Sequence, residues 1–245
     1  MHGCGNTFIA VDEVTGDPVP NKIKFVQETS RLQEVDGFLF IQPSEGDADI
    51  RMRYFDRDGT EENMCGNGIR CVARYAFDHG YVKRDHTIMT GDGPKDIYVV
   101  NGLIRVNMGL PREFRKIEGG YFVNTSLAHV VYFRDSIDIR EAFETGRKTR
   151  YDNGLMQEVG HPEGLHANFV ELDDPSTIKI MTYEVGVEDI TQACGTGSVA
   201  SAYVSSEAMG AKFPMTVVNR GGEVYVDRRK NGVTNLYLTG PAEYC

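Results

Sequence analysis

Short stretches in which apolar and polar residues alternate recur along the chain, and each predicts a half-buried strand. Ile50, Met52 and Tyr54 alternate with Arg51 and Arg53, and Ile178, Ile180 and Thr182 alternate with Lys179 and Met181. Further strands are predicted over residues 97–100, 104–108, 128–133, 215–218, 223–226 and 235–238. Asn101-Gly102, Gly221-Gly222 and Asn231-Gly232 stand between some of these runs as hairpin turns, because Asn and Gly tolerate the positive φ such turns need. In two places the period becomes helical. Ile69, Val72, Ala73 and Ala76 keep helical spacing up to Gly80, and Val199, Ala202, Tyr203 and Ser206 keep it up to Gly210. A weaker third helix is predicted over 137–144, and a boundary near Leu110-Pro111-Arg112.

The two stronger helices begin alike. Met64-Cys65-Gly66-Asn67-Gly68 opens one and Ala193-Cys194-Gly195-Thr196-Gly197 the other. A Met lies thirteen residues ahead of each cysteine (Met52, Met181) and a Tyr eleven ahead (Tyr54, Tyr183). A strand, a loop, a cysteine and a helix therefore occur twice, 129 residues apart, which points to an internal duplication. Two similar halves facing each other would bring the cysteines to opposite walls of one cleft.

At 245 residues the chain can bury a large core without staples. Its 26 basic and 36 acidic residues give a formal charge of −10, which argues against a binder of nucleic-acid backbone. No stretch approaches the ~20 apolar residues of a membrane span. The first residues show neither the basic start nor the apolar run of a secretory leader, so a cytoplasmic location is expected. Five cysteines fit reduced thiols better than a disulfide framework, and Cys71 reads as a buried small hydrophobe.

Thiols at helix starts suit proton transfer. Inverting a carbon centre needs a base on one face and an acid on the other, with the roles exchanged in reverse. A thiol can do both, since its unperturbed pKa of ~8.5 lies near working pH. The free N–H groups and partial positive charge of a helix N-terminus favour thiolate, and can also bind a substrate carboxylate. The glycines let a substrate approach the backbone closely. Other chemistries fit less well. Gly195-Thr196-Gly197 lacks the Lys-Ser/Thr end of a phosphate loop, and no Cys-x-x-Cys pair offers a zinc site. A cysteine–histidine hydrolase using His129 would leave one motif cysteine unexplained. His161 and His166 lie in a Gly/Pro-rich stretch and read as surface loop residues.

These motifs and the residues around them resemble the diaminopimelate epimerase family. The resemblance runs from Met1-His2-Gly3-Cys4-Gly5-Asn6-Thr7-Phe8 through Asp58-Gly59-Thr60-Glu61 and Cys65-Gly66-Asn67-Gly68-Ile69-Arg70-Cys71. It continues through Asn168-Phe169-Val170-Glu171, Tyr183-Glu184 and Gln192-Ala193-Cys194-Gly195-Thr196-Gly197 to Gly240-Pro241-Ala242-Glu243. Proline racemases and phenazine-biosynthesis isomerases share the general architecture. The resemblance implies an α/β fold of two pseudo-symmetric domains, each an antiparallel-rich sheet wrapped around a central helix, with a cleft that closes on substrate. The domains expected are 1–110, to which 238–245 return, and 111–237. No cofactor is implied, neither pyridoxal phosphate nor metal. Cys65 and Cys194 are implied as the acid–base pair that converts LL- to meso-diaminopimelate, a step toward lysine and peptidoglycan precursors. Asn6, Gly66, Asn67, Gly195 and Thr196 are implied to hold the reacting head. Asn168 and Glu184 would contact the far end, Glu184 facing an ammonium, and His129 matches a supporting site histidine.

Some positions depart from the family. Val185 stands where an Arg usually clamps the second carboxylate, and Asp56 and Leu127 stand where Asn is usual. Either Arg70, Arg112 or Arg220 replaces the clamp, or the substrate is another amino acid, such as histidine or a basic one. A reading from another class is a redox-sensing or binding protein with a Cys65–Cys194 disulfide. The expected partner is a small-molecule amino acid, without nucleic acid or membrane, and a homodimer is among the assemblies the sequence allows.

Overall fold

In the computed structural model, which describes residues 1–231 and 233–245, contacts divide the chain into two units. One comprises Met1–Asn107 with Gly240–Cys245, the other Met108–Thr239. The predicted Asn231-Gly232 turn lies outside the described residues.

In the first unit, Asn6–Asp12 pairs parallel to Gly37–Pro43, which pairs antiparallel to Ile50–Asp56. Asp85–Thr90 joins parallel to Ile50–Asp56 and leads into the antiparallel strands Gly93–Val100 and Leu103–Gly109. The turn between the last two has Asn101 at φ 51° and Gly102 at φ 80°, as a two-residue hairpin requires. Helix α1 (Lys22–Thr29) is capped by Asn21, and helix α2 (Gly66–Asp78) packs against the first strands of the sheet. Residues 37–41 are buried without interruption, because side chains alternate between two covered faces. Phe38 and Phe40 pack with Val26 of α1, while Leu39 lies beside Gly68 of α2.

The second unit repeats the plan. Glu113–Ile117, Gly120–Asn124 and Ala128–Phe133 form an antiparallel meander. His166–Asp174 adds parallel to it and Thr177–Glu184 antiparallel. Met215–Asn219 then pairs parallel to Thr177–Glu184, and Gly222–Asn231 and Val233–Gly240 follow antiparallel. Helix α3 (Ile139–Arg150) begins at the Asp138 cap, runs beyond the predicted 144, and ends with Arg147, Lys148 and Arg150 in the last turn, where basic residues suit the helix dipole. Helix α4 (Asn153–Val159) follows, and helix α5 (Gly195–Met209) ends at Gly210 in the left-handed conformation. Two faces are covered again. Ala167, Phe169 and Tyr183 pack with Ala142 of α3, while Asn168 and Thr182 point at Gly197 of α5. Each unit is thus an antiparallel-rich mixed sheet wrapped around one helix opened by a cysteine.

Candidate active site

Cys65 caps α2 from extended backbone (φ −137°, ψ 114°), and its sulfur accepts the Gly68 N–H at 3.3 Å. A Cβ at Gly68 would stand 2.7 Å from Leu39 Cδ2 and 3.4 Å from the Cys65 sulfur, so glycine lets the first turn close onto the sheet. Asn67 is buried and donates through Nδ2 to Asn6 Oδ1 at 3.2 Å, while its own Oδ1 accepts from Arg70 at 3.1 Å. Asn6, Gly66 and Asn67 therefore gather around the Cys65 turn.

The second unit reproduces this at Cys194, which caps α5 from φ −119°, ψ 115°. Its sulfur accepts the Gly197 N–H at 3.4 Å and lies 3.5 Å from the Thr196 hydroxyl. A Cβ at Gly197 would meet Asn168 Oδ1 at 2.5 Å and Thr182 Oγ1 at 3.1 Å. Thr125 reaches across to the Thr196 carbonyl at 3.1 Å. The half-buried Cys65 is the more open of the two thiols, Cys194 being only 3% exposed.

Behind Cys194 runs a buried polar chain. Thr182 Oγ1 donates to Asn168 Oδ1 at 3.0 Å, and Asn168 Nδ2 donates to Val130 O at 3.0 Å and to His129 Nδ1 at 3.1 Å. The His129 ring stacks on His166 with centroids 4.7 Å apart, and His166 Nδ1 accepts the Val185 N–H at 3.2 Å. Burial, with the neighbouring His166, pushes His129 well below the ordinary imidazole range. Burial, with Arg150, pushes His166 down to about 4. Both rings are neutral at neutral pH, with the proton of each on Nε2, because each Nδ1 accepts. Among the described residues, His129 Nε2 is buried without a partner. Asp56 accepts from the Tyr54 hydroxyl, and burial, with Asp58 nearby, holds its carboxyl above the usual range. Among the described residues no group of three or more His, Cys, Asp or Glu side chains is placed to hold a metal. Nor is any described helix long and apolar enough to cross a membrane.

The model of one family, diaminopimelate epimerase, matches residues 1–113 and 121–245. The chain belongs to the diaminopimelate epimerase family. A diaminopimelate epimerase of Archaeoglobus fulgidus is 35% identical over 99% of this chain and 91% of its own length. Among solved structures, a phenazine biosynthesis protein of Bacillus anthracis superposes with a TM-score of 0.69 at 16% identity, covering 95% of this chain and 89% of its own. A probable proline racemase of Agrobacterium radiobacter gives 0.66 at 15%, covering 98% and 87%. Both share the fold, an α/β architecture, and family membership makes this chain an isomerase of the epimerase type.

Asn168, expected at the far end of a substrate, is fully buried and its amide is engaged with Thr182, His129 and Val130. It holds His129 and lies close against Gly197 at the start of α5. Arg70, weighed as a replacement clamp, is also fully buried and bonded to main-chain carbonyls and Asn67. His166, read as a surface loop residue, opens a strand and is 5% exposed. The Gly/Pro-rich run ahead of it masked the strand start. Glu184 ends Thr177–Glu184 half-buried, and Val185 follows with its N–H held by His166. Thr182 and Thr125 were not singled out from sequence, since a threonine in a strand gives no sign of which helix it meets.

Proposed function

We propose that this chain epimerises diaminopimelate without a cofactor, passing the Cα proton between Cys65 and Cys194. The supporting observation is that each thiol caps a helix and accepts the N–H of the glycine three residues on, Gly68 or Gly197. Each sulfur is thus held at the positive end of a helix, where thiolate is favoured and a substrate carboxylate finds free N–H groups. In one direction the Cys65 thiolate takes the Cα proton, breaking C–H and forming S–H, and the Cys194 thiol returns a proton to the other face. The enzyme then holds the opposite protonation and runs in reverse on the product. Asn6, Asn67 and Thr196 supply polar contacts for the α-amino and α-carboxylate groups. Helix-start N–H groups stabilise the charge that develops as the carbanion forms. Glu184 takes an ammonium, His129 steadies the site, and the product feeds lysine-type synthesis.

A second reading rests on one residue. Val185 cannot clamp a distal carboxylate, and its N–H is already held by His166. Under that reading the substrate is an amino acid with a cationic or imidazole side chain, suited to Asp56 and Glu184.

Incubation with diaminopimelate, lysine, ornithine, arginine and histidine in D2O decides between the two. Deuterium at Cα of diaminopimelate supports the first, and deuterium only at another amino acid supports the second. Cys65→Ala and Cys194→Ala should each lower epimerisation by about 10²-fold or more, the usual weight of a general acid or base. Full activity in either variant overturns the two-thiol mechanism.

A further inference from the structure

The halves match at their cysteines but not in the turn that follows. Five residues after Cys65 stands Arg70, and five after Cys194 stands Val199. Arg70 is fully buried. Its guanidinium donates through Nη1 to the Gly66 carbonyl at 2.9 Å and through Nε to the Pro241 carbonyl at 3.2 Å. Nη2 donates to Asn67 Oδ1 at 3.1 Å and faces Cys4 Sγ at 3.5 Å. No carboxylate pairs with it among the described residues. An arginine does not give up its proton, so a full positive charge sits in the interior, solvated only by dipoles. Such a charge stabilises any anion that forms beside it.

Two buried thiols, Cys4 and Cys71, lie in the field of this charge, and Cys65 stands next in sequence to the Gly66 that it grips. Burial pushes Cys4 up even though the guanidinium works against it, and burial pushes Cys71 up to about 11. Glu243 further raises Cys4, and the Met1 amine acts on Cys71 in the opposite sense. Both stay thiols near neutrality. Cys65, adjoining the Gly66 carbonyl that Arg70 grips, is half-buried and already accepts an N–H. Acidic residues precede both cysteines: Asp56, Asp58, Glu61 and Glu62 before one, Glu184, Glu188 and Asp189 before the other. At the matching position of the two helices stand Arg70 and Val199.

We propose that Arg70 is a positioning residue whose fixed charge keeps Cys65 as the resting thiolate, while Cys194 rests as the thiol. The same guanidinium turns the Asn67 amide so that its NH2 faces Asn6 and the site. The inference rests on the two-thiol mechanism above and assigns its starting state. Its test needs no turnover. The intact protein is treated with iodoacetamide across pH 5–10, and each cysteine is followed separately by peptide mapping. In the native protein Cys65 should titrate at lower pH than Cys194. Arg70→Gln should raise the Cys65 midpoint by on the order of one pH unit, about tenfold slower labelling below it, with the Cys194 midpoint unmoved. Arg70→Lys, which keeps the charge, should keep the Cys65 midpoint. A native Cys194 that titrates first overturns the proposal without any variant. So does a Cys65 midpoint that ignores Arg70→Gln, or one that moves together with Cys194. Failure of the two-thiol mechanism would show instead in the Cα exchange of the alanine variants, with these titrations unaffected.

Discussion

His129 and His166 stack as neutral rings, and that neutrality has a cost in acid. The folded-state value for His166 is about 4, against 6.5 for a free imidazole, because burial and Arg150 disfavour the cation. Between these values the unfolded chain binds a proton that the folded chain refuses. Stability therefore falls as pH drops from about 6.5 towards about 4, and is unaffected by this residue above that window. His166→Asn removes the titration, and its side-chain oxygen can still accept the Val185 N–H. The urea midpoint of this variant should fall less between pH 7 and pH 5 than that of the native protein. The slope should not vanish, since His129 is shifted in the same direction. An equal fall in both proteins would place the acid sensitivity outside His166.

At the scale of elements, α3 shows how closely the outer layer is fitted. A Cβ at Gly146 would lie 2.4 Å from Tyr183 Cβ, so the helix can close on the sheet only with glycine there. Gly146→Ala gains helix propensity of about 1 kcal/mol but incurs overpacking of about 1–3 kcal/mol. A net loss on the order of 1 kcal/mol is expected in urea unfolding. Cα exchange should be retained, because Tyr183 faces α3 while its neighbour Thr182 faces α5. A variant as stable as the native protein would mean that α3 slides freely over the strand. This fit explains what was legible in the sequence. Helices α2 and α5 were, through their cysteine caps and spacing, and the strand Ile50–Asp56 was, because Arg51 is exposed while Ile50 and Met52 are buried. Residues 37–41 and 166–170 were not, because burial on both faces erases the alternation that marks a strand. Arg70 was misleading for a related reason. On a surface helix it would face solvent, but the sheet surrounds the first turns of α2, and nothing in the local pattern announces that.

For the whole molecule, the chain leaves the first unit at Asn107 and returns to it only at Gly240. The last residues close that unit with few but well-placed bonds. Glu243 exchanges two main-chain hydrogen bonds with His2, at 2.8 and 3.0 Å. Tyr244 donates to Asp78 at the end of α2 at 3.1 Å, and the Pro241 carbonyl accepts from the buried Arg70. Removing residues 241–245 would deprive a buried cation of an acceptor as well as opening an edge strand. A neutral bond contributes about 1 kcal/mol and one to a charged group about 1.5–3, so the first unit should lose on the order of 5 kcal/mol. The loss should be local. Amide hydrogen exchange should rise in α2 and in Asn6–Asp12, while α5, which packs on the strands of the second unit, keeps its protection. Because Arg70 and Asn67 are tied to the same carbonyl network, Cα exchange should fall with the protection of α2 and not with that of α5. Uniform loss of protection across both helices would mean that the units do not hold their structure separately, and that the returning segment stabilises the chain as one cooperative body.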